Sequence, residues 1–392
     1  MISQGSGSPN EGFLFELQHK RFKDLDFYLV FGGTGMARIL YAVCGVGLGH
    51  AGRSKTIINE LKKKHTVKIV SHEEGLELLK KNFNDIESIE WFRFVFKENK
   101  VDKYRTIIEN TPKALKVFSN NFRKLGKIIR EFRPDIIISD FEFNALHIGR
   151  MFNIPVILIS NMHVMQYHKV ELSVIDKASV MLFEENMLRA FSGAEYYFIL
   201  TLLDVKDPSR KNFLFFPPIV RSEFINVKIE DNDYFLVYID KQHLPNFISI
   251  AKGNFPEKKF IIYGLGKNST DRNITFRDFS DGKWIEDIKG CKAVMCHGGM
   301  STISEAVILR KPIYIVPTPG WFERYHNASI VEKLDFGIME EKPSEEGMKK
   351  FFANLETYKK SLLKSGINPS NKEFIGKLEE AISKLTTKKF AK

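Results

Sequence analysis

Short apolar runs alternate with longer amphipathic stretches along the chain from Ala37 onward. The apolar runs are rich in isoleucine and valine, as buried strands are. In the first half of the chain, the predicted strands are 39–43, 66–70, 135–140 and 155–160, and the predicted helices are 50–64, 113–133 and a short one that runs through His147. Strands that alternate with helices in this way predict parallel βαβ units, right-handed and doubly wound.

The alternation is interrupted at 215–221, where two adjacent prolines stand in the sequence FFPPIVR. Prolines mark chain breaks, so we interpret this segment as a linker between domains. A second set of strands is predicted at 234–239, 259–264, 274–279, 293–298 and 312–317. Because a single core stops growing at about 250–300 residues, the predicted α/β fold has two Rossmann-like domains, 36–216 and 217–392. The second domain would end in a lysine-rich helical tail.

Residues 1–35 show no sustained hydrophobic period ahead of the first predicted strand. One interpretation is a real N-terminal extension, and the other is a start codon assigned too early, with Met36 as the true start. We favour the second, because two adjacent glycine codons shortly before Met36 can encode a purine-rich ribosome-binding sequence. The apolar stretch 27–49 is interrupted by Arg38 and by several glycines, which argues against a membrane-spanning anchor.

Charge and cysteine content narrow the functional classes. Lysine and arginine number 59 and acidic residues 48, a net charge of +11 that favours phosphorylated small molecules, anionic lipid surfaces or nucleic acid as partners. Three cysteines, Cys44, Cys291 and Cys296, are too few for a disulfide framework, which favours a reducing cytosol. No Cys or His pair follows Cys291 and Cys296 at zinc spacing, so we expect no metal site there.

A glycine-rich segment, GVGLGHAGR at 45–53, joins the first predicted strand to the first predicted helix. Gly47, Gly49 and Gly52 match the dinucleotide fingerprint, and the acidic pair 73–74 lies about 20 residues further on, where a ribose-binding acid would lie. An NAD-dependent dehydrogenase is therefore one hypothesis. A tight strand-to-helix turn without a ligand explains the glycines equally well.

His50 lies in that turn, at the carboxyl end of a predicted parallel strand, where open α/β sheets bind ligands. An imidazole there is a candidate general base, although a lone loop histidine is often structural. Asp140 ends the strand at 135–140 and is a candidate to orient a catalytic histidine. Asn161 and His163 follow the next strand and are predicted on the same edge. The alternative for Asp140 and Asn161 is helix capping.

A second glycine turn follows the strand at 293–298. Backbone N–H groups at a helix N-terminus can bind a diphosphate, and an acid one turn into the helix can accept hydrogen bonds from ribose hydroxyls. The residues that would do so are His297, Gly298, Gly299, Ser301, Thr302 and Glu305. In the alternative, Ser301 caps the helix and Glu305 lies on its exposed face.

The segment HGGxSTxSEA at 297–306, a strand that ends in proline, and ExxxNA at 323–328 together resemble the donor-sugar site of GT-B glycosyltransferases. The nearest families are the MurG-type N-acetylglucosaminyltransferases and the UDP-glycosyltransferase superfamily. The motifs GxGLGHAxR at 45–53, PDxxISDFE at 134–142 and NxH at 161–163 resemble an archaeal and bacterial branch of this group. The resemblance covers about residues 37–340.

The resemblance implies two Rossmann-like domains that face each other across a cleft, with a nucleotide sugar on the C-terminal domain and an acceptor on the N-terminal domain. The implied donor-binding residues are His297, Gly298, Gly299, Ser301, Thr302, Glu305, Glu323, Arg324 and Asn327. The implied acceptor side holds Gly47, Gly49, Arg53, Asn161 and His163, with His50 and Asp140 as catalytic residues. Relatives usually have glutamine at the position of Arg324. Because arginine cannot accept a hydrogen bond, the resemblance does not identify the sugar.

Such enzymes invert the anomeric centre, need no cofactor beyond the nucleotide sugar, and in this group need no metal. The implied donor is UDP-linked, such as UDP-N-acetylglucosamine, and the implied acceptor is a hydroxyl on a lipid or a cell-envelope glycan. Arg53 is a candidate to add positive charge at the diphosphate, or else a solvated side chain of the first helical turn. No DxD sequence has a convincing placement, because the one at 231–233 opens the second domain far from the inferred cleft.

Four alternatives stay open from the sequence. A GT-B-fold sugar-nucleotide 2-epimerase would use the same donor site with extra carboxylates, for which Asp140 and Glu142 are candidates. An NAD-dependent oxidoreductase would leave the second glycine turn unexplained. A non-catalytic sugar-binding subunit would need an idle His50. A nucleic-acid binder has only the net charge in its favour, so we expect no nucleic-acid partner.

The predicted helix at 113–133 carries seven basic residues against a single glutamate. Apolar side chains recur on it at helical spacing, namely Leu115, Phe118, Phe122, Leu125 and Ile129. Such a helix can lie against anionic headgroups, which predicts a cytoplasmic protein with a peripheral contact at the inner face of the cell membrane. The alternative is that the apolar stripe packs on the sheet and the lysines are solvated.

Overall fold

The computed structural model describes residues 35–91, 96–97, 100–101, 103–168, 186–206, 208–225, 227–279, 282–367 and 371–387, and between 96 and 115 it describes the backbone alone. Apart from Gly35, the segment 1–35 lies outside these residues. The two interpretations of that segment therefore stay predictions.

The first sheet has seven strands. They are β1 Arg38–Val43, β2 Thr66–Ser71, β3 Ile86–Ser88, β4 Ile136–Asp140, β5 Val156–Ser160, β6 Tyr196–Leu200 and β7 Phe213–Phe216. Their order is β3-β2-β1-β4-β5-β6-β7, and every pairing is parallel. In the central register, Ile39 lies opposite Val67 and Ile136. The central strands β1, β4 and β5 are largely apolar and buried along their length, because helices cover both faces of a parallel sheet.

Helices of the first domain pack on both faces of this sheet. They are α1 Gly49–Leu61, α2 Glu73–Lys80, α3 Lys103–Phe132 and α4 Phe143–Met151, with a 3-10 turn at Met162–Gln166 and a short hairpin of Phe96–Lys97 with Lys100–Val101. Ile57, Ile58 and Leu61 of α1 are buried against one face. Leu125 of α3 and Leu146 of α4 are buried against the other.

The second sheet also has seven strands. They are β8 Phe235–Tyr238, β9 Phe260–Tyr263, β10 Ser269–Asp271, β11 Ile274–Arg277, β12 Ala293–Cys296, β13 Ile313–Ile315 and β14 Gly337–Met339. The order is β10-β11-β9-β8-β12-β13-β14, with only the edge strand β10 antiparallel. The helices are α5 Leu244–Asn254, α6 Trp284–Gly290, α7 Met300–Ile308, α8 Phe322–Lys333, α9 Glu345–Ala353, α10 Leu355–Lys364 and α11 Lys372–Thr387. The predicted α/β architecture of two doubly wound domains is confirmed.

The last helix, α11, returns to the first domain. Phe374, Leu378 and Ile382 are buried in the core on the α1 side of the first sheet. His65 Nε2 lies 3.0 Å from Glu379 Oε2. The division at residue 217 placed this lysine-rich helix with the second domain, whereas its packing joins it to the first. Strand β7 also extends into the predicted linker 215–221, so the connection begins at Pro217.

Helix α3 contains the basic stretch for which a membrane contact was predicted, and it begins at Lys103 rather than Lys113. Leu125 and Ile129 are buried in the core of the domain, and Phe122 is partly buried against it. Phe118, in contrast, is 39% exposed. Burial of this part of the stripe favours the alternative in which it packs on the sheet. In the described part of the chain, every helix is too short or too polar to span a bilayer.

Candidate active site

His50 and Asp140 meet at the carboxyl edge of the first sheet. His50 lies in the first turn of α1, directly after β1, and Asp140 ends the adjacent strand β4. His50 Nδ1 lies 2.8 Å from Asp140 Oδ1, and the ring of Phe141 stacks on the imidazole at 5.9 Å. The His50 side chain is 18% exposed, whereas Asp140 is fully buried. Because a carboxylate only accepts hydrogen bonds, Nδ1 carries the proton and Nε2 is the basic nitrogen.

Two further side chains hold the same carboxylate. Arg53 donates from Nε to Asp140 Oδ2 at 2.9 Å and from Nη2 to Oδ1, and Ser54 Oγ donates to Oδ2 at 2.7 Å. Burial raises the pKa of Asp140, but the charges and hydrogen bonds of Arg53 and His50 outweigh burial and hold it well below its usual range. Arg53 is only 11% exposed, so it is not the solvated side chain of the second sequence-based alternative. Its contribution of positive charge at the diphosphate stays a prediction.

Glu142, and not Asp140, caps helix α4, so the capping alternative for Asp140 does not hold. The Glu142 side chain accepts from Asn144 N at 3.1 Å and from Ala145 N at 2.6 Å, and it is buried at the start of α4. Burial raises the pKa of Glu142, while the hydrogen bonds from Ala145 and Asn144 act to lower it. Both carboxylates of this segment therefore have fixed partners.

The glycine turn after β12 forms the opposite wall of the site. Gly298 has φ +88°, and a Cβ there would lie 2.8 Å from the carbonyl oxygen of Arg324, so only glycine fits without strain. Its own carbonyl accepts from Asn327 Nδ2 at 3.0 Å. His297 Nδ1 accepts from Gly299 N at 3.1 Å, and burial, together with the charge of Arg324, lowers the pKa of His297 to about 3.

The N-terminus of α7 carries no side-chain cap. Gly299 occupies the cap position, and Ser301 does not bond back to it, unlike in the capping alternative. Ser301 is exposed, whereas Thr302 is buried. A Cβ at Gly49 would lie 2.6 Å from Ser301 Oγ, so the N-termini of α1 and α7 approach each other across the two domains. Two helix N-termini at one place favour an anion between them.

Glu305 lies one turn into α7 and is largely buried. Its Oε1 accepts from Arg221 Nη2 at 2.6 Å, and its Oε2 accepts from Trp284 Nε1 at 3.0 Å. Burial raises the pKa of Glu305, and the charge of Arg221 acts against that rise. Arg221 comes from the predicted linker and Trp284 from α6. The sequence analysis missed both, and no local spacing connects either residue with Glu305.

The first turn of α8 brings Glu323 and Arg324 to the same wall. Asn161 Nδ2, from the first domain, donates to Glu323 Oε1 at 2.6 Å, so Asn161 does not cap the turn that it begins. Arg324 Nη1 lies 3.3 Å from Asp240 Oδ2, and its guanidinium lies 5.1 Å from the ring centre of Trp321. Asp240 follows β8. The rule that selected Asp140, a polar residue at the carboxyl end of a strand, would have found Asp240 as well.

Two predicted site residues lie elsewhere or have other partners. His163 is buried, with Nδ1 2.9 Å from Ser160 Oγ and its ring against Tyr197, so the structure does not bring it to this site. Burial lowers the pKa of His163 to about 4. Gly47 remains in the turn, and its N–H donates to Glu74 Oε2 at 3.2 Å, which gives that predicted ribose acid a structural partner.

Among the described residues, no three His, Cys, Asp or Glu side chains are grouped closely enough to hold a metal ion. Asp233 of the DxD sequence pairs with Lys292. Metal independence stays a prediction.

A sequence profile described as glycosyl transferase family 1 matches residues 37–356. The chain belongs to this family. An uncharacterised glycosyltransferase of Methanosarcina acetivorans is 26% identical over 336 residues, which cover 77% of this chain and 85% of the relative. Family membership makes the chain a glycosyltransferase, as the resemblance of its donor-site motif predicted.

Solved glycosyltransferase structures share the fold. Phytolacca americana UGT2, complexed with UDP-2fluoro-glucose and pterostilbene, matches with a TM-score of 0.61 at 13% identity over 89% of this chain and 100% of that one. The glycosyltransferase VinC, in complex with dTDP, matches with a TM-score of 0.59 at 13% identity over 90% of this chain and 100% of that one. The GT-B fold is confirmed, and the facing walls described above belong to its two domains.

Proposed function

We propose that this glycosyltransferase is inverting and metal-independent, and that it transfers a sugar from a nucleotide sugar to an acceptor hydroxyl. The observation that carries the proposal is the pair of His50 with buried Asp140, 2.8 Å apart, opposite the glycine turn of α7. A neutral imidazole held by a carboxylate is suited to remove a proton near neutral pH. An uncapped helix N-terminus is suited to stabilise a departing diphosphate.

In the proposed reaction, His50 Nε2 takes the proton of the acceptor hydroxyl as its oxygen attacks the anomeric carbon. The bond between that carbon and the diphosphate oxygen breaks, and the nucleoside diphosphate leaves from the opposite side. Asp140 keeps Nδ1 protonated and orients the ring. The proton then passes from His50 to solvent. The N–H groups at the start of α7 compensate the charge on the leaving diphosphate.

Uridine is the proposed nucleoside of the donor, in agreement with the motif at 297–306 and with the ligand of Phytolacca americana UGT2. The dTDP bound by VinC makes thymidine the alternative. A thermal-shift screen that compares UDP, dTDP, UDP-N-acetylglucosamine and UDP-glucose separates the two. Stabilisation by neither diphosphate would refute the proposed donor class.

Glu305→Gln is expected to weaken UDP binding about 10- to 150-fold, because each lost hydrogen bond to a charged group is worth about 1.5–3 kcal/mol. A carboxylate offers about four lone-pair positions, so Arg221 and Trp284 leave capacity for ribose hydroxyls. Calorimetry measures the change, with Glu356→Gln, an exposed glutamate of α10, as the control. Unchanged affinity in Glu305→Gln would remove this carboxylate from the donor site.

The 2-epimerase alternative needs free carboxylates in the cleft. Asp140 is held by Arg53, Ser54 and His50, and Glu142 caps α4, so neither is free to move a proton. Incubation with UDP-N-acetylglucosamine alone tests this, because an epimerase turns over without an acceptor. We expect no new sugar nucleotide in that sample.

A lipid or cell-envelope glycan is the proposed acceptor, presented at the inner face of an anionic membrane. The support is the row of exposed cations on α3 beside the exposed Phe118, namely Lys116, Arg123, Lys127 and Arg130. At about 1 kcal/mol per cation near the surface, this row is enough for salt-sensitive binding. Burial of Leu125 and Ile129 limits the apolar contribution to the tip of the stripe.

We expect the protein to float with phosphatidylglycerol vesicles at low ionic strength and to be released at high salt. The variant Arg123→Glu with Lys127→Glu is expected to float less, because the charge reversal acts on exposed side chains. Phosphatidylcholine vesicles serve as the control. Protein that ignores anionic vesicles at low salt would make a soluble acceptor the working hypothesis.

A further inference from the structure

Asp140 is shared among several donors instead of being held by His50 alone. Its Oδ1 receives His50 Nδ1 and Arg53 Nη2, and its Oδ2 receives Arg53 Nε and Ser54 Oγ. The carboxylate is fully buried, so these contacts replace water completely. A histidine and an aspartate would suffice to orient an imidazole, so the arginine in the same cluster needs its own explanation.

Arg53 contacts the imidazole as well as the carboxylate. Its Nη2 lies 3.0 Å from His50 Nδ1, and because both nitrogens carry protons that point at Asp140 Oδ1, this contact is repulsive once the ring is protonated. Asp140, from β4, and His72, after β2, also interact electrostatically with the ring, and Glu323 of α8 acts on Arg53 itself. Burial and the charge of His50 lower the pKa of His72 to about 4, so His72 adds no charge near neutral pH.

We propose that Arg53 is a positioning residue for sugar transfer. It fixes the Asp140 carboxylate and offsets its charge, so that His50 stays neutral, and able to take the acceptor's proton, at lower pH than a His–Asp pair without the arginine would allow. The assignment rests on the function proposed above, because it treats His50 as the base. A cation that served only to fill a buried site would change stability without changing the protonation of His50.

The test is an NMR titration of the His50 ring, assigned by comparison with His50→Ala, which needs neither donor nor acceptor. In Arg53→Gln the titration midpoint is expected to rise by about one pH unit or more, since a unit charge a few ångströms away is removed. Arg53→Lys retains the charge and is expected to stay close to the parent protein. Arg277→Gln breaks a matched Arg–Asp pair, with Asp287 in the second domain, and is expected to leave His50 unchanged.

An unchanged or lowered midpoint in Arg53→Gln, or an equal shift in Arg277→Gln, would overturn the assignment. If Arg53→Gln does not fold, Arg53→Met, which keeps a long side chain without the charge, is titrated in its place, and the same rise in the midpoint is expected. UDP calorimetry on the same samples distinguishes failure of the proposed function from failure of the role assigned to Arg53. Absence of UDP binding would refute the proposed function, whereas the titration result would remain valid.

Discussion

Replacement of His50 by alanine is expected to lower the rate of sugar transfer about 10²- to 10⁴-fold, which is the usual loss when a general base is removed. Donor affinity is expected to stay unchanged, because His50 belongs to the first domain while the glycine turn at Gly298 belongs to the second. The measurements are UDP release with a lipid extract as the acceptor source, mass spectrometry of the products, and UDP calorimetry.

Two variants make this result specific. His50→Asn retains a donor towards Asp140 but has no base in the position of Nε2, so it is expected to be as inactive as alanine. If His50 only positions the acceptor, the asparagine variant retains much of the activity. His147→Ala is the control, because His147 lies on α4, with its Nε2 2.8 Å from the carbonyl oxygen of Ala190 and its ring against Phe143. Near-normal turnover in His50→Ala would refute the base assignment.

The central strands could be predicted from the sequence because they are apolar on both faces. Residues 39–43 of β1 and Ile136–Asp140 of β4 are all buried, and helices cover both sides. The edge strand β3 was missed because its residues are half-buried or exposed and give no apolar run. Strand β6 carries an apolar run as clear as those of the predicted strands, so it could have been predicted from the sequence.

The pairing of His50 with Asp140 could be predicted because it follows from topology. Residues at the carboxyl ends of two neighbouring parallel strands must lie close together, and β1 pairs directly with β4. The partner of Glu305 could not be predicted, because Arg221 lies 84 residues away in the connection between domains. Contacts between residues so far apart depend on how the domains are arranged, and a local sequence pattern does not predict that arrangement.

The direction in which the Arg53 side chain points could not be predicted from the sequence. A residue in the first turn of a helix can face solvent, a ligand or the sheet, and the helical period alone does not decide among them. Arg53 and Ser54 face β4 because α1 packs closely on the sheet through Ile57 and Ile58. The buried face of α1 therefore carries a charge, which is stable only because Asp140 compensates it.

Asp140→Ala is expected to cost about 3–5 kcal/mol of unfolding free energy, because it leaves the guanidinium of Arg53 largely buried without a counter-charge. Transfer is also expected to fall by about 10² or more, since the imidazole loses the group that fixes its tautomer and orientation. Urea unfolding and the transfer assay measure the two effects. Asp85→Ala, which removes a half-exposed carboxylate paired with Lys68, is the control and is expected to change stability by about 1 kcal/mol or less.

The stability difference between the parent protein and Asp140→Asn is expected to depend on pH. The pKa of Asp140 is lower in the folded protein than in the unfolded chain, where it is about 3.9. Its contribution is therefore complete above that unfolded value and is lost as the pH falls below it towards the folded one. The difference in unfolding free energy is expected to be constant from about pH 7 to pH 5 and to shrink between about pH 4 and pH 2. A difference that stays the same down to pH 2 would show that the ion pair with Arg53 contributes nothing, and that Asp140 matters only through its shape and hydrogen bonds.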